Sequence, residues 1–196
     1  TPFDGEQWGL SAKAVWNISD AVSITSTTAY RESEFLLSAD LDNSALFVSH
    51  TSYFPEMQNQ FSQEVLLNGD FGALNFVGGV FYFDEEVSSF YNNQFALFSV
   101  YQNNGFSGDT KSIAVFGQGS YELTDALSVT AGIRYTKDNK EGVNIVGLDF
   151  VDPMFGHIPA FPTDLSTLPV TLAESDVVDL DFEAFTPKFG LDYQIN

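Results

Sequence analysis

The residue types that most often carry chemistry are sparse in this sequence. The chain has 196 residues, no cysteine and only two histidines, His50 and His157, which lie far apart along it. No Ser/His/Asp spacing is typical of a hydrolase, and neither a GxGxxG nor a P-loop motif occurs. The absence of cysteine excludes disulfides and thiolate metal sites. The sequence therefore predicts neither an enzyme nor a bound cofactor.

Acidic residues dominate the charge, and one run of them has the oxygen ligands that hard cations prefer. Asp84, Glu85 and Glu86 are consecutive and could hold a divalent cation. Such a run is more often a solvated surface, so no metal site is predicted. Only 7 Lys and Arg oppose 27 Asp and Glu, for a net charge of −20. Since phosphate contacts need basic side chains, we expect no nucleic-acid partner.

Aromatic side chains give the clearest sign of ligand binding. They are dense between residues 84 and 109, where the candidates for ligand contact are Tyr91, Phe95, Phe98, Tyr101 and Phe106. Exposed aromatic rings on a long loop suit a small molecule with flat or sugar-like faces. The alternative is that these rings pack neighbouring loops against each other.

The elements that would position these residues are β-strands. From Leu127 to Tyr135, apolar residues alternate with polar ones, which is the period of a strand with one apolar and one polar face. The same pattern predicts seven strands, at about residues 7–18, 22–33, 59–68, 73–83, 111–122, 126–137 and 181–195. No apolar run is long enough for a transmembrane helix, which needs about 18 residues.

The connections between the strands alternate between short and long. Short turns near Asp20, Asp70 and Asp125 recur about every 50 residues, whereas residues 34–57, 84–109 and 137–180 lose their period and are predicted to be long loops. Transmembrane barrels have short periplasmic turns and long extracellular loops. Compact soluble domains rarely carry several structureless loops beyond roughly 15 residues.

Aromatic residues at the strand ends fit the same interpretation. Trp8 and Trp16 share a face and lie about 20 Å apart along the membrane normal, close to the roughly 25 Å between the aromatic girdles of a barrel. The predicted girdle residues are Trp8, Trp16, Tyr30, Tyr82, Tyr121, Tyr135 and Tyr193. The charged residues predicted to face the lumen are Lys13, Glu64, Arg134 and Lys188.

Two soluble folds share parts of this pattern. A β-propeller has repeats of similar length, and Gly78-Gly79 followed by Tyr82 is similar to its double-glycine signature. Only one such pair occurs, however, and each period holds two strands where a blade needs four. A lectin-like sandwich would have loops of ordinary length and no girdle. A soluble propeller or lectin-like ligand-binding module therefore stays the alternative to the barrel.

Several segments resemble the barrel of TonB-dependent outer-membrane receptors. They are Gln60–Leu67, Leu74–Asp84 and Tyr121–Thr136, together with Thr25–Arg31 and Phe185–Tyr193. The resemblance covers nearly every predicted strand, and the order and spacing of the segments make it fairly specific. It implies an all-β fold, an antiparallel up-and-down transmembrane β-barrel wall with long extracellular loops.

The resemblance also implies a function in the bacterial outer membrane. Members of the family have about 22 strands, a plug that closes the lumen, and uptake energised by TonB, so the implied partners are membrane lipid, plug, TonB and a small solute. That solute would be a siderophore-iron complex, haem, cobalamin or carbohydrate, and loop histidines such as His50 could ligate haem, although a lone loop histidine is more often solvated. In this family the polar face meets the plug or the substrate path. An ion pair from Arg134 or Lys13 to Glu64 or a similar acid is the alternative.

The sequence departs from the family pattern in its strand number. Seven strands are an odd number, whereas closed bacterial barrels normally have an even number. No plug motif or TonB box is visible. We therefore expect residues 1–196 to be an internal segment of a barrel, which needs further strands to fold stably because two long edges would otherwise stay unpaired.

Overall fold

One antiparallel sheet contains all the regular structure of the described residues. The computed structural model describes residues 3–40, 49–95, 100–150 and 173–194. The strands are β1 (Phe3–Asn17), β2 (Val22–Asp40), β3 (Ser49–Asp70), β4 (Leu74–Phe95), β5 (Val100–Thr124), β6 (Leu127–Phe150) and β7 (Ala173–Tyr193). Each strand pairs with the next along the chain, so β1 and β7 are the two edges of the sheet.

The topology confirms the predicted all-β, up-and-down class with seven strands. A propeller would divide the strands into separate four-stranded blades, and a sandwich would divide them into two packed sheets. Neither division occurs in the described residues, because the backbone ladder is continuous from β1 to β7. Nor do these residues include a helix of sufficient length and hydrophobicity to cross a membrane.

The strands extend farther than their sequence pattern predicted. β4 and β5 pair without interruption as far as Phe95 and Val100, so most of the predicted loop at 84–109 is a β-hairpin. Residues 34–40, 49–57, 137–150 and 173–180 are also in strands. The predicted bounds are too short because the alternation of apolar and polar residues is lost beyond the aromatic girdle residues, whereas backbone hydrogen bonding needs no alternation.

Three short turns join the strands at the end of the sheet that lies opposite the long connections. The turn between β3 and β4 contains Gly72 at a φ of 74°, where a side chain would be strained. Asp70 fixes this turn by accepting a hydrogen bond from the Gly72 amide at 3.0 Å. In the turn after β5, Thr124 Oγ1 accepts the Ala126 amide at 3.3 Å.

The register divides the side chains between two faces. Residues paired across antiparallel strands point to the same side, and one row runs across the sheet through Ala14, Ser26, Val65, Val80, Val115, Tyr135 and Phe185. We call this side the apolar face. The next row runs through Lys13, Thr27, Glu64, Phe81, Ala114, Thr136 and Ala184. We call that side the polar face.

Polar side chains on the apolar face bond to each other. Thr28 Oγ1 donates to Gln63 Oε1 across β2 and β3, and Gln63 Nε2 donates to Ser26 Oγ at 2.9 Å. In the sequence, Ser26 and Thr28 interrupt the apolar side of the β2 alternation. Their mutual hydrogen bonds lower the cost of placing them on an apolar surface.

Close packing on the polar face depends on Gly79. A Cβ there would lie 2.8 Å from the Val65 carbonyl oxygen, 2.7 Å from Leu66 Cδ2 and 3.0 Å from Phe116 Cζ. The carbonyl belongs to the sheet backbone and cannot move aside. The Phe116 ring therefore lies across a position that only glycine can occupy without strain.

Replacing Gly79 tests this packing. We expect Gly79→Ala to lower the free energy of unfolding by about 1–3 kcal/mol, the usual cost of overpacking. The measurement is guanidinium unfolding of the full-length protein in lipid vesicles. Gly78→Ala is the matched control, because its Cβ would meet its nearest atom, the Phe116 carbonyl oxygen, at an ordinary 3.5 Å. If the two substitutions lowered the free energy of unfolding equally, close packing of Phe116 over Gly79 would be contradicted.

Candidate functional site

Aromatic pairs stand at the long-connection end of the apolar face. The Trp8 and Tyr30 ring centroids are 5.3 Å apart, and those of Tyr135 and Phe185 are 4.7 Å apart. Phe61 and Tyr82 form a third pair at 6.2 Å. Such tilted contacts are favourable for aromatic rings, and they place three of the predicted girdle tyrosines in one band.

The hydroxyls of this band point toward charged neighbours. Tyr82 donates to Asp84 Oδ2 at 2.7 Å, and Tyr30 donates to Glu32 Oε2 at 3.4 Å. At the short-turn end of the same face, Trp16, Tyr121 and Tyr193 are all at least half exposed. The sheet thus carries aromatic residues at both ends of an apolar band, each tyrosine ring with one apolar side and one polar tip.

Most of the basic residues lie on the other side of the sheet. Of the 7 Lys and Arg residues, only Lys111 and Lys137 fall on the side of the apolar face. The register places the remaining five on the polar face, namely Lys13, Arg31, Arg134, Lys140 and Lys188. The four residues that the sequence predicts to face the lumen are therefore all on one surface.

Arg134 on β6 lies against two aromatic rings. Its guanidinium carbon is 5.3 Å from the Phe116 ring centroid and 6.0 Å from that of Phe81, within cation–π range. Its Nε donates to Thr136 Oγ1 at 3.0 Å. The alternative of an ion pair with Glu64 is wrong. β4 and β5 separate β3 from β6, a distance of roughly 14 Å across the sheet.

The other two predicted cations of the polar face differ in their surroundings. Lys188 Nζ donates to Gln118 Oε1 at 2.8 Å, a bond between β7 and β5. Lys13 is exposed on β1, and Thr27 lies between it and Glu64 in the register. The salt bridge recorded among the described residues joins Lys137 to Glu183 at 3.6 Å, on the side of the apolar face.

A polar network on β2, β3 and β4 was not found from the sequence. Glu85 Oε1 accepts hydrogen bonds from the side-chain amides of both Gln58 and Gln60. Ser33, which is buried, donates from Oγ to Gln58 Oε1 at 3.5 Å. The spacing of the two glutamines indicates one strand face, but only the register shows that Glu85 lies opposite them.

The acidic run from Asp84 to Glu86 is split between the faces. Glu85 belongs to the polar face, whereas Asp84 and Glu86 lie on the side of the apolar face. The three carboxylates therefore cannot converge on one cation. Within the described ranges, no group of three His, Asp or Glu side chains is arranged to hold a metal ion.

A cleft of about 490 Å³ opens on the polar face beside this network. Its floor consists of small residues on β1, β2 and β3, including Gly9, Ser11 and Ala29. Arg31 and Gln60 supply polar groups, and Phe83 supplies a ring. The cleft lies at the level of Tyr30, because Arg31 follows that residue on β2.

The aromatic residues predicted to contact a ligand lie on the β4–β5 hairpin. Tyr91 is half-buried and Phe106 is 42% exposed, and the register places them as diagonal neighbours on the polar face. Phe95 and Tyr101 lie near the far end of the hairpin. The structure describes the backbone pairing of these two residues and not their side chains. Phe98 lies outside the described residues. The structure therefore brings together two of the five candidates.

An amide pair is buried in the same hairpin. Asn92 Nδ2 donates to Asn103 Oδ1 at 2.6 Å, and both residues are buried. This bond joins two strands beyond the aromatic band, where the sequence pattern predicted a loop.

The structure describes only one of the two histidines, and only its backbone. His50 lies on β3, and its side chain is not described. His157 lies outside the described residues.

Removing the Glu85 carboxylate tests the polar network. Glu85→Ala leaves two half-buried amide groups without their acceptor, so we expect unfolding to become easier by about 1–3 kcal/mol. Glu86→Ala is the matched control, since that exposed side chain lies on the opposite side and its loss should change stability by no more than about 0.5 kcal/mol. Guanidinium unfolding of the full-length protein in lipid vesicles distinguishes the two. A loss as large for Glu86 as for Glu85 would contradict the network.

Solved structures with the same fold include two receptors for ferric complexes and a peptide transporter. The ferric yersiniabactin uptake receptor FyuA from Yersinia pestis superposes with a TM-score of 0.69 at 13% identity, covering 98% of this chain and 26% of that one. For the ferric-catecholate import receptor Fiu from E. coli K12 the TM-score is 0.63 at 14% identity, covering 99% and 34%. The RagAB peptide transporter gives 0.55 at 10% identity, covering 98% and 26%.

These similarities concern the fold, and the chain spans about a quarter to a third of the length of those structures. No curated protein sequence matches the chain. The family model described as TonB dependent receptor-like, beta-barrel, matches residues 1–196. The chain therefore belongs to the β-barrel family of TonB-dependent receptors, which are transport receptors of the bacterial outer membrane.

Proposed function

We propose that the chain is a wall segment of a receptor that takes up a scarce solute with energy supplied through TonB. The observation that carries this proposal is the division of the sheet into two faces by a single register. One face is apolar and bounded by aromatic residues at both ends, and the other carries five of the seven basic residues.

The apolar face is the surface that we assign to lipid. A bilayer offers no hydrogen bonds, so a spanning sheet must satisfy its backbone internally and present apolar side chains outward. The aromatic bands around Trp8 and Tyr30 and around Trp16 and Tyr121 then lie at the two interfaces. A lipid-facing sheet also needs partners for the edges of β1 and β7, which further strands of a barrel of about 22 strands would supply.

The polar face is the surface that we assign to the lumen. In this proposal Lys13, Glu64, Arg134 and Lys188 face the plug or the path of the solute. The β4–β5 hairpin reaches beyond the girdle, and in this proposal the rings of Tyr91 and Phe106 meet a solute arriving from outside. The solute in this proposal is a siderophore-iron complex, haem, cobalamin, carbohydrate or peptide.

A charge placed on each face tests the assignment. Ala131 is exposed at the middle of the apolar band on β6. We expect Ala131→Lys to cost about 2–4 kcal/mol, the usual penalty for lysine at the bilayer midplane. Ser128→Lys on the polar face, paired with Glu122 and Asp192, should assemble normally. The yield of heat-resistant receptor in outer-membrane fractions reports the difference, and equal yields would contradict the lipid assignment.

Uptake by cells tests the transport function itself. Cells that express the full-length receptor should accumulate at least one labelled solute from these classes, and accumulation should fall to background when TonB is deleted. The matched control is the same strain with an empty vector. Accumulation that is indifferent to TonB, or none for every class, would contradict the proposal.

A further inference from the structure

Arg31 is a basic side chain with no acidic neighbour beside it in the part of the sheet that the structure describes. Its partners in the register are Gly9 and Gln60, and the neighbours on its own strand and face are Ala29 and Ser33. None of them carries a negative charge. Among the described residues neither arginine has a carboxylate within ion-pair distance, but Arg134 lies against two aromatic rings whereas Arg31 lines an open cleft.

The nearest acid on this face already has two hydrogen-bond donors. Glu85 pairs with Gln60, two strands away from Arg31 and therefore roughly 10 Å across the sheet. Its Oε1 atom accepts the side-chain amides of Gln58 and Gln60. The network therefore holds Glu85 on β4 and leaves the Arg31 guanidinium facing the cleft.

The cleft has the volume of a small-molecule site and a mainly polar lining. Its volume of about 490 Å³ is within the range of roughly 300–1,000 Å³ that ligand pockets occupy. The base of the cleft is lined by residues with small side chains, namely Gly9, Ser11 and Ala29. The side chain of Phe83 provides an apolar wall. Arg31 and Gln60 place hydrogen-bonding groups at the same opening.

We propose that this cleft binds the carboxylate of a small planar solute, with Arg31 as the residue that selects the charge. The guanidinium presents parallel N–H donors that match the two oxygens of a carboxylate. The Phe83 ring then packs against the flat part of the solute. This inference rests on the proposed uptake function, in which the polar face lines the lumen, and it names a solute class for that function.

A matched pair of probes tests the charge selection. The full-length receptor in detergent micelles is titrated with 4-fluorobenzoate and with its neutral isostere 4-fluorobenzamide, and binding is followed by the ¹⁹F relaxation of each probe. Wild type should bind the benzoate at least about tenfold more tightly, as expected for a charged hydrogen bond. Arg31→Gln should lose this preference, and Arg31→Lys should keep part of it.

Lys140→Gln is the control, because it removes one positive charge from the same face outside the cleft. It should retain the preference for benzoate. A wild type without the preference, or an Arg31→Gln variant that keeps it, would overturn the inference. If Arg31→Gln lowers the thermal stability of the free receptor and leaves benzoate binding unchanged, Arg31 pairs with an acid of the receptor itself, which also overturns it.

Insertion into the outer membrane and TonB-dependent uptake are measured on the same variants. A receptor that inserts and transports but shows no preference for benzoate overturns only the assignment of the cleft. A receptor that fails to insert, or transports without TonB, overturns the proposed function instead. The two failures are therefore distinguishable.

Discussion

The antiparallel hydrogen-bond register is the constraint on which the other features of the sheet depend. Because side chains alternate between the faces, a slip of one residue in any strand would exchange its apolar and polar sides. The register keeps Val65, Val80 and Val115 in one row and Glu64, Phe81 and Ala114 in the next. Both the aromatic bands and the grouping of basic residues follow from this alignment.

The polar face includes a closely packed aromatic region as well as polar groups. Gly79 allows the Phe116 ring to lie across the sheet, and that ring in turn contacts the Arg134 guanidinium. Near the aromatic band the same face changes to amides around Glu85 and to the open cleft at Arg31. The face thus combines a closely packed middle with a hydrogen-bonding region toward the long connections.

The sequence predicted those features that depend on local periodicity. Seven strands, the three short turns and the alternation of residues such as Leu127 and Val129 follow from a period of two. Strand ends such as Phe95 were missed because backbone pairing continues where alternation stops. The Glu85 network and the surroundings of Arg31 and Arg134 were missed for another reason. They depend on which residues lie opposite each other on neighbouring strands, and the periodicity of a single strand does not determine that pairing.

The central claim is that one face of this sheet meets lipid and the other meets water. Single spin labels at positions 127 to 135 of the full-length receptor, reconstituted in lipid vesicles, test it directly. Collisions with oxygen should dominate at the odd positions, which include Ala131 and Ile133, and collisions with a water-soluble nickel chelate at the even ones. The expected result is an alternation with a period of two. Equal accessibility to the nickel chelate at odd and even positions would contradict the account.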